Sequence, residues 1–276
     1  MLGAGGTLGE AFHRGVLRAM SDRGLDAREA TVVVGTSAGS IVAATLRRRA
    51  AAVPDLVMRA PAPRRLPDMR TALGVLERPR QVLNAAMLAP ELVRGRTPTA
   101  FLAEGLRRHH GEAWPQAPTW VVAVRRDTGR RVVFGRPGEP VADLGSAVAA
   151  SCAIPGYFEP VVVDGVAYVD GGVHSPTNAD LVADVDLDLV VVSSPMSAQP
   201  RALRQPRLDL PLRLAFHGYL RSEVWSLRRR GERVVVVEPD AAVLEVMGVN
   251  MMAGRHLDEV EERAHALALE RLQGVG

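Results

Sequence analysis

The chain has 276 residues, a net charge of +3 and 47% hydrophobic residues, which is typical of a globular protein with a substantial core. Its single cysteine, Cys152, excludes an internal disulfide, and no apolar run reaches the about 18 residues of a membrane-spanning helix. The amino terminus shows no signal-peptide pattern, so we expect a cytoplasmic protein.

The basic residues are all arginines and are unevenly distributed. Residues 44–136 carry 18 arginines against seven acidic residues, whereas residues 137–200 carry nine acidic residues and no arginine. The basic segment predicts either a solvated arginine-rich face, which we favour, or a peripheral contact with anionic lipid.

The predicted elements of the first half are a helix, a strand, a second helix and an irregular segment. Apolar spacing predicts the first helix over residues 10–23, a short buried strand over 31–34 and the second helix over 37–48. Seven prolines then divide residues 50–112 into short helical pieces, such as 69–76 and 81–88. We expect this segment to form a helical cap, whose apolar residues could line an acyl channel or form plain core: Leu73, Leu76, Val82, Leu83, Met87 and Leu88.

The second half alternates strands with helices. Two hairpins are predicted, over 119–134 and over 161–169, the second with an Asp164-Gly165 turn. A small-residue helix lies between them, and buried strands at 187–193 and 233–237 alternate with helices near 210–230 and 256–272. We therefore expect one α/β domain, with residues 1–180 as the catalytic core and residues 181–276 completing it.

Residues 35–39 read Gly-Thr-Ser-Ala-Gly, a G-x-S-x-G pentapeptide between the predicted strand and helix. This context suits a nucleophilic serine, Ser37, exposed on a sharp turn with a helix amino terminus behind it. Gly35 and Gly39 would allow the strand and the helix to approach closely. An ordinary glycine-rich turn is the alternative.

A glycine cluster over residues 3–9 precedes the first predicted helix. Its free backbone amides lie at the positive end of that helix, where they could stabilise an oxyanion. The pattern fits a dinucleotide fingerprint poorly, because Leu8 replaces the third glycine and no strand precedes it. Dinucleotide binding is kept as a remote alternative.

Asp170 is the preferred candidate for the general base. It ends a predicted strand and is followed by two glycines, which leave its carboxylate open to a neighbour. Partial desolvation beside Ser37 would make it a usable base, whereas a local turn-capping role is the alternative. The early position of Ser37 argues against an α/β-hydrolase triad, but His174, His217, His256 and His265 remain conceivable third members.

Four blocks in this order resemble the patatin-like phospholipase family: the glycine loop followed by residues 11–17, then residues 35–40, 149–158 and 168–172. The resemblance implies a three-layer α/β fold with a mainly parallel sheet. It also implies a Ser37–Asp170 dyad, an oxyanion hole formed by the amides of Gly5, Gly6 and Thr7, and the hydrolysis of lipid acyl esters.

The chain departs from the family pattern at its start. The glycine loop lacks the usual basic residue, and only Met1 and Leu2 precede it, whereas a strand needs about five residues. We therefore expect a truncated first strand and a true start further upstream.

The leading prediction is a carboxylic ester hydrolase of the phospholipase A or esterase type that works through an acyl-enzyme. We expect no cofactor, metal ion or nucleic-acid partner. The alternative is a non-catalytic protein that binds anionic membranes through the arginine-rich cap.

Overall fold

A computed structural model describes residues 1–48, 95, 97–202 and 207–275. Most of the predicted cap at 50–112, including its helical pieces and channel residues, lies outside the described residues. So does about half of the arginine-rich segment.

The described parts of the chain alternate helices and strands, as the sequence predicts. The helices are α1 (Gly6–Asp22), α2 (Ala38–Arg47), α3 (Ala100–His110), α4 (Leu144–Ser151), α5 (Leu210–Arg229), α6 (Ala241–Met247) and α7 (Leu257–Arg271). The strands are β1 (Val33–Thr36), β2 (Thr119–Arg125), β3 (Arg131–Phe134), β4 (Val161–Val163), β5 (Val166–Asp170), β6 (Val190–Ser193) and β7 (Val234–Val237). The predicted α/β class is confirmed.

The sheet is mixed. Strands β1 and β2 are parallel, as are β6 and β7, whereas β3 and β5 both run antiparallel to β2, and β4 runs antiparallel to β5. The antiparallel part exceeds the expectation of a mainly parallel sheet, because two tight hairpins supply neighbouring strands. In the second hairpin, Asp164 and Gly165 both have positive φ (49° and 76°), as a type I′ hairpin turn requires.

Leu2 connects the two groups of strands. It forms parallel bridges with Gly35 in β1 and with Ser193 in β6. Its N–H donates to Val34 O at 2.8 Å, its carbonyl accepts from Thr36 N at 3.0 Å, and Gly3 N donates to Ser193 O at 3.0 Å. Leu2 therefore lies between β1 and β6, at the place where the sequence predicts a truncated first strand. Its hydrogen bonds fix the start of the glycine loop.

Helices cover both faces of the sheet, which gives three layers. On one face α1 and α7 pack together beside β7, and α2, α3 and α4 pack against β2 and β3. On the other face α5 and residues 179–182 cover β1, β2, β6 and β7. Alternate strand residues supply the two cores: Val121 and Ala123 face the first, and Trp120 and Val122 face the second.

Candidate active site

The pentapeptide forms a sharp turn between β1 and α2. Ser37 has φ 53° and ψ −124°, a conformation that side-chain-bearing residues rarely adopt, and it is buried. A Cβ on Gly35 would lie 2.5 Å from Ser40 Cα, and one on Gly39 would collide with the carbonyl of Leu2. The two glycines therefore let β1, α2 and Leu2 approach closely enough to hold Ser37 in this strained position.

The sheet register brings Asp170 towards Ser37. Thr36 pairs with Val122 of β2, and the next residue of β2, Ala123, pairs with Asp170 at the end of β5. Ser37, which follows Thr36, and Asp170 therefore lie at neighbouring positions along β2, one on each side of that strand. They are brought together closely enough for the Ser37 side chain to lower the pKa of the Asp170 carboxyl.

The environment of Asp170 makes its carboxylate an unusually strong base. Burial raises the pKa of Asp170 from 3.8 to about 7, although hydrogen bonds from the Ser37 side chain and the Gly172 N–H oppose the rise. The Gly172 N–H lies 2.7 Å from Oδ1. A carboxylate that is desolvated but still hydrogen-bonded can accept a proton from a hydroxyl near neutral pH.

The glycine loop presents backbone donors at the amino terminus of α1. Gly6 has φ +57°, and α1 begins there, so the predicted start at residue 10 was one turn too late. No described residue accepts a hydrogen bond from the backbone N–H of Gly5, Gly6 or Thr7. These three N–H groups are therefore available to an anion, and the helix dipole favours negative charge there.

The histidines considered as third members contact other groups. His217 Nδ1 lies 2.8 Å from Glu238 Oε1, and His265 Nε2 lies 2.6 Å from Asp22 Oδ2. His256 is 3.7 Å from Glu259, and the exposed His174 acts electrostatically on Asp180. None of these contacts involves Ser37 or Asp170.

Comparison with known proteins identifies the family of this chain. The sequence model of the patatin-like phospholipase family matches residues 1–183, which is well over half of the chain and contains both Ser37 and Asp170. The chain belongs to the patatin-like phospholipase family.

Similar patatin-like relatives come from mycobacteria. Uncharacterized NTE family proteins of Mycobacterium bovis and of two strains of Mycobacterium tuberculosis are each 30% identical to this chain over 202 residues. The match covers 70% of this chain and 47% of each relative, so it spans about half the length of those proteins.

Block 149–158 of the patatin-like pattern supports both candidate catalytic residues. Ser151, the last residue of α4, accepts a hydrogen bond from the backbone N–H of Ser37 at 2.9 Å. Two residues later, the carbonyl of Ala153 accepts from the backbone N–H of Asp170 at 3.0 Å. Between them, Cys152 Sγ lies 3.8 Å from Ser40 Oγ, and burial raises the pKa of this thiol. The end of α4 thus positions the backbone of both residues.

Two positioning residues were missed by the sequence reasoning. His13, fully buried on α1, lies 2.8 Å from Gly3 O through Nε2 and 2.7 Å from Ser193 Oγ through Nδ1. Burial lowers the pKa of His13 to about 4, so the ring is neutral near pH 7. We assign the Nε2–H as the donor to Gly3, because a carbonyl can only accept. A histidine among the apolar positions of α1 was the available signal.

Asn178 is the second missed residue and is also fully buried. Its Nδ2 donates to Thr36 Oγ1 at 3.1 Å, to Ser175 O at 2.6 Å and to Gly171 O at 3.4 Å. Its own backbone has φ 50°, a position that asparagine tolerates better than most residues. This one amide therefore links the residue before Ser37 to the residue after Asp170.

Within the described ranges, no group of three or more histidine, cysteine or acidic residues could hold a metal ion. The same ranges contain no helix that is long and apolar enough to cross a membrane.

Proposed function

We propose that this protein is a serine esterase of the phospholipase A type, with Ser37 as the nucleophile and Asp170 as the general base. Family membership supports a lipid acyl hydrolase. The observation that carries the finer proposal is the pairing of a strained, buried serine with a buried carboxylate whose pKa is raised to about 7.

The first half of the proposed reaction forms an acyl-enzyme. Ser37 Oγ attacks the ester carbonyl while Asp170 takes the hydroxyl proton, and the carbonyl oxygen becomes an oxyanion facing the N–H groups of Gly5, Gly6 and Thr7. The C–O bond to the alcohol then breaks, and Asp170 returns its proton to the departing alkoxide. The acyl group remains attached to Ser37 as an ester.

The second half releases the fatty acid. Asp170, ionised again, takes a proton from a water molecule that attacks the acyl-enzyme carbonyl, and the same backbone donors stabilise the second oxyanion. Collapse of this intermediate breaks the bond to Ser37 Oγ, which regains the proton from Asp170. The protein returns to its starting state, and water is the only other reactant that the proposed cycle uses.

A fluorophosphonate probe tests the nucleophile. It should label the unmodified chain and fail to label Ser37→Ala, while Ser222→Ala, which changes an exposed serine of α5, should remain labelled. Hydrolysis of a p-nitrophenyl ester by Ser37→Ala at the unmodified rate would refute the assignment.

The base is tested by Asp170→Asn, which preserves shape and removes the proton acceptor. We expect ester hydrolysis to fall by at least about a hundredfold with the circular dichroism spectrum unchanged. Full activity of this variant would require another base, and a histidine would then be the first to test.

A further inference from the structure

The outward face of α5 combines cationic and aromatic side chains. The exposed residues Arg221, Trp225, Arg228 and Arg229 recur at helical spacing, and the exposed Leu214 lies two turns before Arg221 on the same side. We call these five residues the α5 face. Trp225 is 60% exposed, whereas Trp120 is 8% exposed, so a large aromatic ring is held in solvent here.

The charge of the α5 face is uncompensated on the helix itself. The single acidic residue of α5, Glu223, points inward, where it accepts hydrogen bonds from Thr177 Oγ1 at 2.6 Å and from Ala179 N at 2.9 Å. Among the described residues, the guanidinium of Arg221 has no hydrogen-bond or ion-pair partner. Arg229 lies 4.7 Å above the Trp225 ring, so its charge is held beside the aromatic surface.

A groove of about 580 Å³ runs between the α5 face and the edge strand β7. Its lining includes Val224 and Val236, together with His217 and Glu238, whose Nδ1 and Oε1 atoms lie 2.8 Å apart. Arg221, Arg228 and Arg229 of the α5 face also line it. A lining that combines apolar side chains with arginines matches a molecule that has a phosphate group and a hydrocarbon part.

We propose that the α5 face is a docking surface for a bilayer containing anionic phospholipid. The arginines contact lipid phosphates, and the Trp225 ring lies at the boundary between headgroups and acyl chains, where tryptophan is enriched. The α5 face spans about 22 Å along the helix from Leu214 to Arg229, which is long enough to contact several headgroups at once. We choose an anionic bilayer because its negative headgroups complement the positive arginines of the α5 face. The proposal does not depend on Ser37 acting as a nucleophile.

Vesicle co-sedimentation of Ser37→Ala tests the charge, because this variant leaves the lipid intact if the chain is a hydrolase. Binding should require phosphatidylglycerol and be weak on pure phosphatidylcholine vesicles. Replacing Arg221, Arg228 and Arg229 together by Gln should lower the partition coefficient by about a hundredfold. The charge-matched control replaces the exposed Arg23, Arg108 and Arg130, all outside α5, by Gln and should bind as before.

Tryptophan fluorescence tests the location. Vesicles with brominated acyl chains should quench the emission of the chain, and Trp225→Phe should abolish most of this quenching. Raising the ionic strength from about 0.1 M to about 1 M should release the chain, because the Debye length falls from about 10 Å to about 3 Å.

Three results would overturn the proposal. They are equal binding by the two arginine triples, quenching that survives Trp225→Phe, and binding of inorganic phosphate at the α5 arginines without any preference for vesicles. The last result would identify a site for a free anion instead of a membrane surface.

Discussion

The side-chain amide of Asn178 donates a hydrogen bond to Oγ1 of Thr36 across 3.1 Å. Thr36 immediately precedes Ser37, and the same amide contacts the carbonyl of Gly171, which immediately follows Asp170. The relative position of the proposed nucleophile and base therefore depends on Asn178, a residue that takes no part in the proposed reaction.

We expect Asn178→Ala to lower kcat by about ten- to a hundredfold with little change in KM, because small displacements of reacting groups are costly while substrate binding is unaffected. Steady-state kinetics on a soluble ester measures the two parameters separately. Thr36→Val removes the acceptor with similar shape, and the two changes together should cost less than the sum of their separate effects. Additive effects on kcat would contradict a positioning role.

The pH dependence of ester hydrolysis should report the raised pKa of Asp170. Only the ionised carboxylate can accept the Ser37 proton, so kcat/KM should fall as the pH decreases through about 7, the pKa set by burial. A stopped assay that quantifies released fatty acid avoids the titration of a chromophore. A midpoint near 4, the ordinary range of an aspartate, would show that Asp170 is solvated or is not the base.

The free energy of unfolding should depend on pH through His13, and the direction of this dependence follows from its lowered pKa. The pKa of His13 is lowered by burial from 6.5 to about 4, so the unfolded chain binds a proton more readily than the folded chain. Neutral His13 makes its full contribution to the free energy of unfolding above pH 6.5. Up to about 3 kcal/mol of this contribution is lost progressively as the pH falls towards 4.

The measurement is urea unfolding of the unmodified chain and of His13→Gln at several pH values. The difference in unfolding free energy should shift in favour of the Gln variant as the pH falls, and taking the difference cancels Asp170, whose raised pKa has the opposite effect. A difference that does not change between pH 7 and pH 4 would be inconsistent with a buried neutral imidazole.

Gly39 and Gly218 form a matched pair of helical glycines. A Cβ on Gly39 would collide with the Leu2 carbonyl and lie 2.8 Å from Gly3 O, whereas one on Gly218 would meet nothing within 4 Å. We expect Gly39→Ala to destabilise the fold by about 1–3 kcal/mol and to reduce fluorophosphonate labelling. Gly218→Ala should stabilise α5 by up to about 1 kcal/mol. Thermal unfolding of both variants measures the two effects. Equal shifts in the unfolding midpoint would contradict the close approach of Leu2 to Gly39 at the turn before α2.

The amino-acid sequence by itself determined the α/β class, the order of most elements and the identity of the family. These features are local, because apolar periodicity, hairpin turns and the glycine-bearing motifs can be read within short windows. The G-x-S-x-G turn at Ser37 and the Asp170-Gly171-Gly172 sequence were therefore found from the chain alone, as candidates without a measured relationship.

Only the tertiary structure decided which residues meet. The pairing of Thr36 with Val122, 86 residues later, and of Ala123 with Asp170, 47 residues later, depends on strand order and register. The raised pKa of Asp170 and the roles of His13 and Asn178 arise from burial and long-range hydrogen bonds. Such effects depend on surroundings assembled from distant parts of the chain, and no local pattern encodes them.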